Sequence, residues 1–370
     1  GIKYPLPKLD MLAIPDFAAG AMENWGAITF RETILLYDPK TSSTRTKQYI
    51  AEVISHEIAH QWFGNLVTMK WWNDLWLNES FATFMATKIV DRFYPEWDYW
   101  DQFLDDAMNT AMSLDSLKTS HPIDVNVNHP SEIREIFDSI SYDKGGCILR
   151  MLEHFVGEKN FQKGLQKYLT KHQYDNAQGS DLWNAIGQVS KQPIDKMMKT
   201  WINQVGFPLL EVKRNTSTLT LKQSRFLLEG DKNPSKKTWS IPLVIEEGNQ
   251  RMKKLMTKKS EKIHLKNKDR NFIINSGRTG FYRIQYDKET LENLSLLIDE
   301  KILDHVDRWS LQNDYFAQAV SGKKNIQEYL DFTSAYYDED NYISSLSLAH
   351  NLYSLYILAR KEKFSDEIRT

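Results

Sequence analysis

His56, Glu57 and His60 form the pattern H-E-x-x-H, and Glu79 follows His60 after eighteen intervening residues. On a helix, positions i and i+4 share a face about one turn apart, so His56 and His60 present two imidazoles to one point. Glu57 lies beside them and outside that pair. A second helix carrying Glu79 would add a carboxylate. Two neutral imidazoles and one carboxylate suit a zinc ion with a fourth position left for water, which is the catalytic donor set; structural zinc is closed by four protein ligands. The competing explanation is a buried helix with two satisfied histidines. The flanking residues supply the helices that the metal reading needs. Ile50, Val53, Ile54, Ile58 and Trp62 recur with helical period around the first motif. Leu75, Phe81, Phe84, Met85 and Ile89 do so around Glu79, with Asp74 expected as its N-cap.

Two further segments carry groups that could serve such a centre. Upstream, Gly20, Ala21, Met22, Glu23 and Asn24 set a single acid among small residues. Small residues let a backbone approach a ligand closely, and an extended peptide can pair along such an edge. Glu23 would then be an anion beside a substrate backbone; the alternative is a solvated loop acid. Downstream, the run from Asp138 to Gly146 carries Tyr142. A phenol there can donate a hydrogen bond to the oxyanion of a tetrahedral intermediate. Read alone, Tyr142 is a packed aromatic.

The elements that must position these groups follow from the pattern. Residues 1–40 read as extended, with Met11 to Ile14 a short buried strand and Ala27 to Phe30 a second strand. Helical patterns follow over 97–118, from Ser131 as N-cap, around Cys147, and over 155–170, 181–189 and 193–205, ending at Gly206-Phe207-Pro208. From Leu209 the period changes to two. Strands are expected at 210–213, 219–222, 239–245, 262–265, 271–275 and 280–286, which suggests a small β-sandwich. Helical period returns from Lys288 with Leu291, Leu294, Leu297 and Ile298 and runs to Thr370, as the start of a helical array. The expectation is an α+β multidomain chain: a mainly helical zinc catalytic domain over 1–208, a β-sandwich over 209–287 and the beginning of a helical domain over 288–370.

Composition limits the alternatives. The 370 residues carry a net charge of −2, so electrostatics make no case for nucleic acid or an anionic membrane. No apolar run approaches the roughly 20 residues needed to span a bilayer. Cys147, the single cysteine, excludes an internal disulfide, fits a reducing compartment and reads as a core residue. The chain opens Gly1-Ile2-Lys3-Tyr4 without Met, so the numbering is expected to start inside a longer protein.

Taken together, these motifs resemble the M1 family of zinc aminopeptidases, the gluzincin group. Gly20 to Asn24 match its G-A-M-E-N exopeptidase motif. His56 to His60 with Glu79 match its H-E-x-x-H-x18-E zinc motif. Ser141-Tyr142-Asp143-Lys144-Gly145 matches the segment of its catalytic tyrosine, and Gly280-Phe281-Tyr282-Arg283 resembles its G-x-Y-R. The pattern is most similar to the archaeal tricorn-interacting factors and the puromycin-sensitive aminopeptidases. The resemblance implies a thermolysin-like catalytic domain, then a β-sandwich, then a helical array, with a β-rich domain ahead of them in the family. It implies one Zn2+ per chain on His56, His60 and Glu79, Glu57 as general base and Tyr142 as oxyanion donor. It also implies Gly20, Ala21, Met22, Glu23 and Asn24 as substrate-binding residues, with Glu23 on the substrate ammonium. Peptides with a free N-terminus, a functional link to a larger protease and a cytoplasmic location complete the expectation, with no nucleic-acid or membrane partner. Two other functions remain open. One is a thermolysin-type endopeptidase, and the other is a non-catalytic scaffold that binds peptides or a protease.

Overall fold

The structure, a computed structural model, describes residues 1–230, 236–248, 250–266 and 271–361. The chain divides into two compact units, residues 1–111 with 121–204, and residues 112–120 with 205–370. Helix and strand are mixed throughout, as the α+β expectation requires.

The first unit opens with a three-stranded sheet. Its strands are β1 (Asp10–Ile14), β2 (Ala21–Met22) and β3 (Ala27–Arg31). β3 is central, parallel to β1 and antiparallel to β2. Alternation along β3 buries Ile28 and Phe30. Met11 and Leu12, read from sequence as buried, are both exposed; they point to opposite faces of β1, and neither face is covered there.

A short helix α1 (Glu32–Leu35) leads to α2 (Thr44–His60), whose first turn is capped by the Ser43 hydroxyl accepting from the Thr46 amide. After β4 (Val67–Met69), a 3-10 turn at Trp72–Asp74 runs directly into α3 (Trp76–Phe93). Asp74 is therefore not the N-cap of α3. The turn itself supplies the acceptor, Leu75 N–H bonding to Trp72 O, and the Asp74 carboxylate instead accepts from the Gly179 amide at 3.4 Å. Phe63 stacks on Phe81 at 4.4 Å between centroids, locking the end of α2 to α3.

The next helix is built in three parts: α4 (Tyr99–Phe103), a π turn at Leu104–Met108 and α5 (Asn109–Asp115). The segment expected to start at Ser131 is a 3-10 helix, Pro130–Ile136. His129 caps it, because its imidazole accepts from the Ser131 amide. A second π turn, Ile140–Lys144, feeds α6 (Gly145–Val156). Gly157, at φ 83°, ends α6 before α7 (Glu158–His172) begins, so Phe155 closes one helix instead of opening the next. β5 (Asp175–Ala177) pairs with β4, and α8 (Gly179–Ser190) and α9 (Ile194–Ile202) complete the unit.

The second unit carries seven described strands. One sheet joins β6 (Pro208–Asn215), β7 (Thr218–Arg225), β10 (Ser260–His264) and β12 (Arg283–Tyr286) in the order β10-β7-β6-β12. The other joins β8 (Ile241–Glu247), β9 (Gln250–Met256) and β11 (Phe272–Ile274) in the order β11-β8-β9. β9 was not expected, because its residues QRMKKLM lie on a largely exposed edge where charge hides the alternation. Helices α10 (Lys288–Asp299), α11 (His305–Val320), α12 (Ile326–Thr333) and α13 (Tyr342–Ala359) follow. Asp314 on α11 holds Arg278 at 2.8 Å and Arg283 at 2.9 Å, a buried ion network beneath the strands. The sequence expectations at 231–235, 249, 267–270 and 362–370 lie outside the described residues. Among the described residues, no helix is long and apolar enough to cross a membrane.

Candidate active site

α2 presents His56 and His60 one turn apart, and α3 brings Glu79 to the same point. The two Nε2 atoms are 3.0 Å apart, and Glu79 Oε2 lies 3.3 Å from each. Bonds of about 2.05 Å to a tetrahedral zinc ion place neighbouring donor atoms about 3.3 Å apart, so the triangle has the size that such an ion needs. Two imidazole nitrogens at this separation repel unless a proton or cation lies between them. Among the described residues, this is the cluster of potential ligands that converges closely enough to hold an ion.

The surroundings orient the donors. His60 Nδ1 is 2.9 Å from the Phe63 carbonyl, which can only accept, so Nδ1 carries the proton and Nε2 faces the cluster. The chain can turn there because residue 64 is glycine. Gly64 has φ 133°, and a Cβ on it would sit 3.3 Å from His60 Nδ1. Burial alone would raise the Glu79 carboxyl, but the hydrogen bonds and charges of His56 and His60 bring it well below the usual carboxylate range.

Glu57 is buried beside this cluster, and its Oε2 has no hydrogen-bond partner among the described residues. Burial pushes its carboxyl up to about 8; His60 opposes this, while Glu23 and Glu79 add to it. A carboxyl near neutrality, open on one oxygen, is suited to proton transfer. Tyr142 sits in the π turn Ile140–Lys144, its ring parallel to that of His56 at 6.1 Å. Burial and the adjacent Glu79, to which the phenol also donates, raise its pKa, so it stays protonated as a donor.

Glu23 follows β2, and its backbone is tied to the end of α2. Its carbonyl accepts from Gln61 Nε2 at 3.1 Å and Asn65 Nδ2 at 2.7 Å; Gln61 also donates to the Glu57 carbonyl at 3.1 Å. The segment before it is braced by Arg31, whose guanidinium donates to the carbonyls of Phe17 and Ala18 at 3.0 and 2.6 Å. Gly20, Ala21, Met22 and Glu23 line one cavity of about 900 Å3 together with His56, His60, Glu57, Glu79 and Tyr142. Asn24 does not line it. Its amide turns back to Thr29 Oγ1 at 3.1 Å, so it fixes the loop to β3. Gln61 and Asn65 were missed by the sequence reading, as were Glu52 and Asp143, which also line the cavity. Glu52 stands four residues before His56, a spacing that would have placed it on the same helical face.

The chain is similar to known proteins along most of its length. The peptidase family M1 domain matches residues 1–201, and an ERAP1-like C-terminal domain matches residues 271–370. A probable aminopeptidase 2 of Sulfurisphaera tokodaii is 45% identical over 97% of the chain and 45% of its own length. The tricorn protease-interacting factor F2 of Thermoplasma volcanium is 44% identical over 97% of the chain and 44% of its own length. A puromycin-sensitive aminopeptidase of Caenorhabditis elegans is 41% identical, over 97% of the chain and 39% of its own length. The chain thus spans less than half the length of the relatives it matches.

Proposed function

The chain belongs to the M1 family of peptidases, and from that premise we propose that it carries the catalytic centre of a zinc-dependent aminopeptidase that releases N-terminal residues from peptides. The observation that carries this reading is the placement of Glu23 in the same cavity as the His56, His60 and Glu79 donors. One zinc ion on those three side chains would supply an acidified water and a Lewis acid for the scissile carbonyl.

The roles of the remaining residues follow from their chemistry. Glu57 accepts the proton of the attacking water and returns it to the leaving amine. Tyr142 donates a hydrogen bond to the developing oxyanion. Glu23 pairs with the substrate ammonium, and a blocked N-terminus would leave it desolvated and unpaired. The outer edge of β2 suits backbone pairing with an extended peptide, since β2 ends its sheet.

The domain reading continues as a proposal: a thermolysin-like segment over 1–208, a β-sandwich over 209–287 and a helical segment from 288. A link to a larger protease is supported by the relatives named tricorn protease-interacting factor F2. A cytoplasmic location is supported by the single, buried cysteine.

The test compares free and N-acetylated aminoacyl chromogenic substrates, with and without a zinc chelator. Cleavage of the free substrates alone, abolished by the chelator, is the expected result. Equal cleavage of blocked peptides would make the chain an endopeptidase. Peptide binding without cleavage would make it a scaffold.

A further inference from the structure

We propose that His121 is held as an imidazolium at neutral pH and, through Asp138, positions Tyr142, so that turnover falls as pH rises through the titration of His121. The turnover clause rests on the function proposed above.

His121 Nδ1 is 2.7 Å from the Pro122 carbonyl, and Nε2 is 2.8 Å from Asp138 Oδ2. A carbonyl oxygen can only accept. The other carboxylate oxygen, Asp138 Oδ1, accepts from the Ile140 amide at 2.9 Å and the Ser141 amide at 3.2 Å. Both ring nitrogens therefore face acceptors, and only the imidazolium has two N–H groups to give.

The pair acts on the turn that carries Tyr142. Besides its carboxylate bonds, Asp138 accepts the Tyr142 amide on its carbonyl at 3.0 Å. Asp138 thus takes three successive amides at the entrance of the π turn Ile140–Lys144. Such turns are uncommon single-turn features that recur at functional sites. A neutral His121 that kept its bond to Pro122 would turn a lone pair toward the Asp138 carboxylate and loosen this clamp.

Charged groups around the pair include Asp138 itself, Lys144, which opposes the His121 charge, and Asp143, which feels that of Asp138. Bonding to Asp138 raises the His121 pKa above the ordinary histidine range against the effect of burial. With the pKa raised, the ion pair is kept below the titration point of His121 and lost above it.

The test uses the whole chain with isotope-labelled histidine and tyrosine rings. The His121 signals are assigned by their loss in His121→Gln, and those of Tyr142 by Tyr142→Phe. His121 is expected to show two protonated nitrogens at pH 7, and the Tyr142 ring signal should move with the same midpoint as His121. His121→Gln should lower kcat about tenfold at unchanged KM and zinc content and remove that alkaline limb. His121→Lys, which keeps a cation, should retain more of kcat than His121→Gln. A neutral, single-tautomer His121 at pH 7 would overturn the proposal, as would a Tyr142 signal indifferent to His121. If no substrate is cleaved, the aminopeptidase reading fails alone, and the two ring signals still decide this one.

Discussion

Replacing Gly145 by alanine tests whether the approach of α6 to α3 sets the geometry of the site. A Cβ at residue 145 would lie 2.6 Å from the Ser80 Cβ and overlap the Ser80 hydroxyl. The hydroxyl can rotate away, but it would abandon its 2.6 Å hydrogen bond to the Ser141 carbonyl, worth about 1 kcal/mol. The Cβ–Cβ overlap has no such escape, so the helices must separate. Overpacking of this kind costs about 1–3 kcal/mol. Alanine returns about 1 kcal/mol through its better helix propensity. The net loss is about 1–3 kcal/mol, or a fall in thermal midpoint of about 2–12 °C for a unit of this size. Activity should suffer more. Ser80 adjoins Glu79, and Gly145 lies three residues beyond Tyr142, so separation moves the phenol relative to the carboxylate. A displacement near 1 Å can cost about a hundredfold in rate. Scanning fluorimetry, bound-zinc assay and kcat on a free aminoacyl substrate give the three readings. Ser80→Gly combined with Gly145→Ala should recover part of kcat, because it restores the space. A Gly145→Ala protein with unchanged midpoint and rate would refute the reasoning.

The other expectations concern single groups. Glu57→Ala should keep its zinc and lose roughly two to four orders of magnitude in kcat, read by metal analysis beside steady-state kinetics; full turnover would remove Glu57 as the base. Tyr142→Phe should lower kcat about a hundredfold with unchanged zinc content, and an unaltered rate would return the ring to a packing role. Asn65→Ala deletes the 2.7 Å bond to the Glu23 carbonyl and should raise KM for free-amino substrates by about two- to tenfold, with kcat little changed. A kcat loss without a KM change would show that Glu23 does not depend on this anchor.

The His56, His60 and Glu79 cluster was legible in sequence because its chemistry is written in local spacing. His56 and His60 converge through one helical turn, and the apolar residues around Glu79 announce the second helix. Glu23 and Tyr142 needed the family resemblance, since a loop acid and a buried tyrosine have commoner explanations. What anchors them was beyond local reading. Gln61 and Asn65 reach a carbonyl about forty residues away, and Asp138 meets His121 across seventeen. Such bonds depend on how separate elements pack, which no periodicity encodes. The same cause misled the expectation for Asp74, whose carboxylate serves Gly179 on another helix. The burial expected of Met11 and Leu12 failed for a related reason. An apolar run suggests a strand but does not say whether other elements cover its faces.

The cavity's charges argue for one substrate polarity on the proposed reading. Glu23, Glu57 and Glu79 surround the proposed metal position, Glu52, Asp138 and Asp143 line the same cavity, and metal-bound His56 and His60 would be neutral. A zinc dication would offset part of this acidity. An acidic lining favours a cation from the ligand, and the ammonium of a free N-terminus is the group that every unblocked peptide brings. Glu57 feels both Glu23 and Glu79, so the three acids respond as one electrostatic body. Acetylation of the substrate removes its positive charge and adds a carbonyl acceptor opposite an acid that can only accept. The same imbalance meets an internal peptide bond threaded past Glu23. On the proposed reading, selection for the chain end rests on the acidic lining of the cavity, with Glu23 the member that would meet the ammonium.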